Sequence, residues 1–463
     1  MKSVALHNLG CKVNAYELDV MSQMLQEKGF KIVPFDEEAD IYIINTCTVT
    51  NIADRKSRQM LHRAKKKNPD AVVVAVGCYV QTGREDVEKD PCIDLAIGNN
   101  RKKDIVPILE EFLAGRGPGT EEAADKTLCG RAFIDIGHTG EYEEMTLTHT
   151  AEHTRAYIKI QDGCNQFCSY CIIPYARGRV RSRLPEDILA EVGGLVENGY
   201  QEIVFTGIHI SSYGVDFEQK KTGDYRSARE EALRKNHLLS LIRAVHEIEG
   251  VKRIRIGSLE PRIITEEFAE ELSKLPKLCP HFHLSLQSGS DSVLKRMNRH
   301  YSTGEYYEKV FLLRKYFTDP AITTDVITGF PQETEEEFEE TEAFLEKVRF
   351  YEMHIFKYSR RQGTVAASMP GQITDRVKTE RSNRLFAMEK RHSEEFRRSF
   401  LGKECEVLFE EKVLIQGESY MLGHTKRYLK AAVRTQEDLS NQIRVCAIKD
   451  FLTDDILFAE TIR

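Results

Sequence analysis

Short β-branched apolar runs alternate with helical patterns along most of the 463-residue chain, and this alternation restricts the fold more than any other feature. Near the start, VALHN, IYIIN and VVVAV are each followed by a helical stretch, the first spanning 14–28, the others near Asp54 and after Gln81. Buried parallel strands read this way, because helices cover both faces of their sheet. A second series follows: YIKIQ, EIVFTG, RIRIGS, FHLSLQ, ITTDVITG and MHIFKYS, separated by patterns such as ILAEVGGLVENG, LLSLIRAVHEIEG and FEETEAFLEKV. Six alternations with right-handed crossovers predict a parallel sheet curled into a partial (βα)6 barrel, a quarter short of a closed eight. Beyond Gly402 the pattern turns into CEVLFEE, LKAAVR, QIRVCAIKDF and LFAETI, which suits a small all-β barrel. The expected class is α/β, with an N-terminal open parallel sheet over 1–115, a partial barrel over 151–375, a connecting helix over 376–401 and the β module over 402–463. Residues 116–150 read as a linker with a short strand at 132–136, and the polar segment 216–236 as an insertion that is either a lid or disordered.

The N-terminus carries no charged stretch followed by a long apolar one, and the longest apolar run, 71–76, falls far short of a membrane span. The expected compartment is the cytoplasm, where eleven cysteines read as ligands, redox groups or buried apolar residues rather than a disulfide frame. Cys164, Cys168 and Cys171 in GCNQFCSYC have C-x3-C-x2-C spacing. Three thiolates on one loop suit a [4Fe-4S] cube with one open corner, whereas structural zinc takes four protein ligands. Cys11, Cys47 and Cys78 each follow a strand of the first series. Positions beyond the carboxyl ends of neighbouring parallel strands share one crevice, so these three converge into a second site. Alternatively, cysteine simply fits tight strand-to-helix turns eased by Gly10 and Gly77. At the barrel mouth the strand ends bring Thr206, Gly207, His209, Ser258, Glu260, Gln287 and Asp325 together, where a polar group satisfies backbone as readily as it meets a ligand.

A net charge of −7, from 66 basic and 73 acidic residues, excludes whole-surface attraction to nucleic acid. Local charge differs. RKSRQMLHRAKKK over 55–67 carries Arg55, Lys56, Arg58 and four further cations without an acid, and YARGRVRSR carries Arg177, Arg179, Arg181 and Arg183 just after the cysteine loop. A third basic run spans 376–398. These are solvated faces if scattered and a phosphate-binding surface if they share a side. In the β module, Tyr428 lies among His424, Lys426, Arg427 and Lys430, either as a platform for a base or as a packed tyrosine of a basic hairpin.

The GCNQFCSYC loop resembles the cluster motif of the radical SAM superfamily, in which S-adenosylmethionine (SAM) chelates the open iron. That resemblance implies one-electron cleavage of the sulfonium and release of a 5'-deoxyadenosyl radical. With NLGCKVNAYELD, NTCTVT, VGCYVQ, DGCNQFCSYCIIPYARG, FTGIHISSYG, LSLQSGSD and TDVITGFPQET in succession, essentially the whole chain resembles the radical SAM methylthiotransferases. Its first block is most similar to the branch acting on N6-threonylcarbamoyladenosine at position 37 of tRNA; other branches act on isopentenyladenosine tRNA or a ribosomal-protein aspartate. The resemblance implies two [4Fe-4S] clusters, an auxiliary one on Cys11, Cys47 and Cys78 and the radical one on Cys164, Cys168 and Cys171. One SAM then methylates a cluster sulfur, a second generates the radical that activates adenine C2, and the methylthio group passes to that carbon. Cys92, Cys129, Cys279, Cys405 and Cys446 match no ligand position. Gly207, Ser258, Glu260 and Gln287 are the candidate SAM contacts. Arg55, Lys56, Arg58, Arg177, Arg179, Arg181, Arg183 and Tyr428 are the candidate RNA contacts, the last in a module that keeps part of the glycine pattern of TRAM domains. The expected partners are a tRNA anticodon loop, an electron donor and a sulfur source, around a monomer without membrane association. The remaining alternative is a non-catalytic iron–sulfur protein that binds RNA.

Overall fold

The computed structural model describes residues 2–115, 130–148 and 154–462. The chain opens with β1 (Ser3–Asn8), α1 (Lys12–Glu27), β2 (Lys31–Val33), β3 (Ile41–Thr46), α2 (Asn51–Lys67) and β4 (Val72–Gly77). It continues through α3 (Cys78–Thr82), α4 (Arg84–Lys89), β5 (Leu95–Ile97), α5 (Ile105–Ala114) and β6 (Gly130–Ala132). The six strands form one parallel sheet in the order β2-β1-β3-β4-β5-β6. Every residue of β3 and β4 is buried, which is why both read as unbroken apolar runs. The chain moves outward from β1 in one direction and from β3 in the other, so the β1/β3 junction is the switch point of the sheet. β2 and β5, three residues each, are too short to show a period in sequence.

The described part of the expected linker is a strap rather than a tether. Met145 and Leu147 enter the main core, and the Glu143 carboxylate accepts from the backbone N–H groups of Asn100 and Lys103, both at 3.1 Å. The strand expected at 132–136 is β6, displaced toward the N-terminus; Cys129 and the rest of 116–129 and 149–150 lie outside the described residues.

The second unit runs β7 (Arg155–Asp162), α6 (Ile173–Arg177), β8 (Arg181–Ser182), α7 (Pro185–Glu197), β9 (Glu202–Gly207), α8 (Val215–Thr222), α9 (Tyr225–Lys235) and α10 (His237–Glu247). It is completed by β10 (Arg253–Ile256), α11 (Glu266–Ser273), β11 (His281–His283), α12 (Asp291–Arg296), α13 (Thr303–Tyr316), β12 (Ala321–Thr328), α14 (Glu335–Val348) and β13 (Glu352–Lys357). Two sheets, β10-β9-β7-β8 and β11-β12-β13, are stitched by bridges at Ile254–Leu278 and Leu259–Leu284. The result is the expected arc of six parallel strands, open between β8 and β13. Strand alternation points Phe282, Leu284 and Leu286 outward into the helix-covered core and turns His281, His283 and Gln287 inward. The insertion at 216–236 is an ordered helical hairpin: Ala228 and Ala232 of α9 pack with Val215 on Val180, beside the cysteine loop. Alanines this sparse leave no apolar period to read.

After α15 (Val365–Ser368) and α16 (Asp375–Arg398), β14 (Glu404–Ile415), β15 (Glu418–Thr425), β16 (Lys430–Arg434), β17 (Ile443–Phe451) and β18 (Ile456–Thr461) close a barrel in the order β14-β15-β16-β18-β17. Among the described residues no helix is long and apolar enough to cross a membrane.

Candidate active site

Cys11 precedes α1, Cys47 follows β3 and Cys78 opens α3 directly after β4. Since β1, β3 and β4 are neighbours, their carboxyl ends bring the three cysteines to one crevice at the switch point. A Cβ on Gly10 would stand 3.3 Å from the Cys47 sulfur, so the first turn lies against the second. Gly77 has φ +97° and a Cβ there would meet Asn45 Oδ1 at 2.5 Å, which makes glycine the residue that delivers Cys78. Burial pushes the Cys47 thiol up to about 11, with the charges of Cys78 and Cys11 adding to the rise.

The second trio lies on the loop after β7. Gly163, φ +72°, leads into it, and a Cβ would fall 1.8 Å from the Arg179 carbonyl oxygen. The loop is pinned from several sides: Cys164 N donates to Gly178 O at 3.0 Å, Ser169 N to Met297 O at 3.0 Å, and Ala366 N to Ser169 O at 2.8 Å. Burial drives the Cys164 thiol up to about 12, and burial with the neighbouring Cys168 and Cys164 charges raises Cys171 as well. Thiols held in this way stay protonated near neutral pH and become thiolates when a cation binds them. The spacing bears on which cation the donors fit. One tetrahedral zinc, with Zn–S bonds of about 2.3 Å, would draw its sulfurs to about 3.8 Å of each other. Among the described residues, the groups whose ligand atoms all approach within 4.8 Å are His62–Asp90–Cys92 and His283–Asp325–His354, and neither cysteine trio is among them. The trios fit a multinuclear cluster instead.

Each trio receives one arginine that sequence reasoning did not single out for this task. Arg177 Nε donates to Cys78 Sγ at 3.3 Å, and Arg299 Nη1 donates to Cys168 Sγ at 3.3 Å. Arg177 lies six residues beyond Cys171, so the loop that carries one trio reaches the sulfur of the other.

Residues 158–345 match the Radical SAM superfamily, and residues 3–98 match a family described as Uncharacterized protein family UPF0004. The chain is 39% identical over 444 residues, covering 96% of its length and 93% of the relative's, to the threonylcarbamoyladenosine tRNA methylthiotransferase MtaB of Bacillus subtilis. The chain belongs to the radical SAM methylthiotransferases. It is also 35% identical to the tRNA-2-methylthio-N(6)-dimethylallyladenosine synthase of a Thermoanaerobacter species, covering 88% of this chain and 81% of that one. In fold it is similar to the radical SAM methyltransferase TsrM of Kitasatospora setae, with a TM-score of 0.51, 16% identity, and 79% and 77% of the two chains covered. Enzymes of this family use SAM and [4Fe-4S] clusters, which accords with the donor sets.

In this methylthiotransferase the strand-end residues surround the loop of Cys164. Glu260 is 5% exposed and lies between Arg262 and Arg229, the latter at 3.3 Å, and its charge bears on Cys164. Gly207 ends β9, where a Cβ would press on Ile210 at 2.8 Å. Ser258 is exposed beyond β10. Gln287 takes φ +76° to bridge β11 and β12, donating from its N–H to Asp325 O at 2.9 Å. His209, inward at the same mouth, gives Nδ1 to a 2.7 Å contact with Ser212 Oγ and leaves Nε2 buried without a partner.

The basic cluster after the loop is not the phosphate-binding row that its spacing suggests. Arg177, Arg181 and Arg183 are at most 1% exposed; Arg177 and Arg183 grip carboxylates, while Arg181 donates to the Arg179 carbonyl. Arg177 Nη1 meets Glu17 Oε1 at 2.6 Å, Arg181 Nη2 approaches Asp162 Oδ2 at 3.8 Å, and Arg183 pairs with Glu191. Such arginines cannot bind phosphate. Tyr428 likewise is a packed residue and not a platform for a base. Its ring stacks on His424 at 4.5 Å and His281 at 5.2 Å, and the guanidinium groups of Arg255 and Arg155 sit 4.7 and 5.0 Å from it. No face remains for a base; the residue plugs the floor of the partial barrel. Arg58 stacks over the Tyr79 ring at 5.7 Å, while Arg55, Lys56 and Arg179 are exposed.

Proposed function

We propose that this enzyme transfers a methylthio group to C2 of N6-threonylcarbamoyladenosine at position 37 of tRNA, with Cys164, Cys168 and Cys171 holding the radical cluster and Cys11, Cys47 and Cys78 the auxiliary one. The observation that carries the reading is the 3.3 Å hydrogen bond from Arg177 to Cys78, which joins a loop next to one trio to a sulfur of the other. Two sites this close suit a reaction that activates a carbon at one and supplies sulfur from the other.

When bound, the clusters and SAM supply the one-electron chemistry and the sulfur and methyl groups. The chain's residues do the rest. Arg177 and Arg299 direct N–H groups at one sulfur of each trio, offsetting negative charge in a water-poor setting. Glu260, between two arginines, is an acceptor aimed at the loop and suits the SAM amino or ribose groups; Ser258 and Gln287 line the same mouth, with Gly207 beneath. The exposed Arg55, Lys56 and Arg179 are suited to backbone phosphates of the anticodon loop, where an unpaired adenine reaches the mouth without opening a duplex. An external reductant and a sulfur source complete the cycle.

Anaerobically reconstituted full-length protein is expected to hold about eight irons, four per cluster. Cys164→Ala should abolish SAM cleavage, whereas Cys47→Ala should keep SAM cleavage and lose methylthiolation. Equal loss of both activities in Cys47→Ala would count against separate roles. Given anticodon stem-loops bearing either threonylcarbamoyl- or dimethylallyl-adenosine, the enzyme should methylthiolate the former, as read by mass spectrometry of the nucleosides; preference for the latter would overturn the substrate.

A further inference from the structure

Lys12 is the first residue of α1, next to Cys11, and its ammonium points back over the barrel lumen, 6.0 Å from the centroid of the inward-facing Tyr157 ring. Across the lumen, β11, β12 and β13 turn His283, Asp325 and His354 to the same side. His283 Nε2 is 3.2 Å from Asp325 Oδ2, the His283 and His354 rings stack at 5.6 Å, and Asp325 and His354 are register partners. Tyr157 on β7 and His283, Asp325 and His354 on β11, β12 and β13 all alternate with core-facing neighbours and so face the lumen of the partial barrel, onto which Lys12 opens.

Charge in this chamber is unbalanced. Glu202 is taken by Arg255 at 2.9 Å and Glu410 by Arg155 and His424, while Asp325 has His283. Among the described residues, no carboxylate forms an ion pair with Lys12; burial and the charges of Arg255 and Arg155 disfavour its ammonium, which Glu202 opposes, while Lys12 and His354 both keep exposed surface. Lys12 thus has no carboxylate among the described residues as a partner, and the proposed substrate brings one. Its N6-ureido group can close a hydrogen bond from its distal N–H to ring N1. The amino-acid carboxylate then lies on the same edge of the base as C2, the carbon that must face the cysteines.

We propose that Lys12 and His354 form the seat for the carboxylate of the N6 substituent, with the His283–Asp325 pair receiving its hydroxyl and N–H groups. The proposal rests on the substrate assigned above and names the residues that select it. Lys12 and His354 are specificity residues, and they move no proton in the reaction.

The test is binding, without SAM or turnover, by fluorescence anisotropy of the reconstituted full-length protein. The probes are an anticodon stem-loop carrying threonylcarbamoyladenosine and the same RNA with that carboxylate converted to its amide. The wild type should prefer the acid by about fivefold, the upper end for one exposed charge pair. Lys12→Met should bring the ratio near one, Lys12→Arg should keep most of it, and His354→Gln should reduce it. His354 lies on β13 and is no neighbour in sequence of any of the six cysteines, so its variant reports on the seat even if Lys12→Met disturbs the auxiliary cluster, which iron content and electron paramagnetic resonance reveal. Equal wild-type binding of acid and amide would overturn the seat, as would an undiminished preference in both Lys12→Met and His354→Gln. Loss of the preference on dialysis against EDTA would also overturn it, moving recognition to a cation on His283, Asp325 and His354. Failure of the wild type to methylthiolate the acid-bearing RNA is a separate result and would instead defeat the assigned substrate.

Discussion

Gly163 shows how much one residue decides at this site. With φ +72° and the Arg179 carbonyl oxygen where a Cβ would stand, alanine there must push the cysteine loop off its bed. Gly163→Ala is expected to cost about 2–4 kcal/mol and to lower SAM cleavage along with the unfolding midpoint. His209 gives a prediction of a different kind. Burial pulls its imidazole down to about 4; Glu260 opposes, and Arg299, Arg229 and Arg262 reinforce. The folded state therefore keeps it neutral while the unfolded chain takes up a proton near pH 6.5, so its contribution is intact above that pH and fades as pH falls toward 4. Between pH 7 and 5 this amounts to about 2 kcal/mol. His209→Gln should flatten the acid limb of stability by that amount, read as the difference between variant and wild-type unfolding midpoints across the range. The sequence displayed both residues at strand ends. Neither the carbonyl facing Gly163 nor the missing partner of Nε2 is written there, because each is a contact made by a distant segment.

Among the elements, α1, β7 and α6 are tied by a fully buried ion network. Lys102 Nζ meets Glu17 at 2.6 Å, Lys159 Nζ meets Glu17 at 2.8 Å and Asp162 at 2.7 Å, and Arg177 closes the group. Glu17 and Asp162 are held well below the usual carboxylate range: burial opposes this, and the cations overcome it, Arg177 chief among them at Glu17 and Lys159 at Asp162. Removing one carboxylate leaves buried cations without compensation, so Glu17→Gln is expected to destabilise by about 3–5 kcal/mol in denaturant unfolding. Iron retention at the auxiliary site should fall with it, since Arg177 would lose its anchor beside Cys78. From sequence the arginines beyond the cysteine loop look like a phosphate-binding row. The alternate spacing that puts Arg177, Arg179, Arg181 and Arg183 in one line instead sends three of them inward and only Arg179 out. The α8–α9 hairpin was hidden for the opposite reason, being polar on nearly every face.

At the scale of the molecule, the C-terminal barrel is docked through Tyr428 rather than carried on a free hinge. Arg253 extends the contact by donating to the carbonyl oxygens of His424 and Glu406, both at 2.9 Å. Tyr428→Ala should cost about 2–4 kcal/mol and expose the segment around Gly402 to limited proteolysis. Tyr428→Phe should be nearly neutral, because the ring faces carry the contacts. If Tyr428→Ala left both stability and proteolysis unchanged, the floor of the partial barrel would be held by other groups.

The sequence by itself determined the order of the three units, the six parallel strands of the partial barrel and both cysteine trios. These follow from local period and spacing, which a chain carries in its own residues. Only the tertiary structure decided which cations face solvent, which tyrosine is a plug, that two arginines serve the sulfurs, and that Lys12 shares a chamber with His354. Each depends on side chains that are far apart in the chain, and whether a charge is free or spent is settled by the partner that folding brings to it.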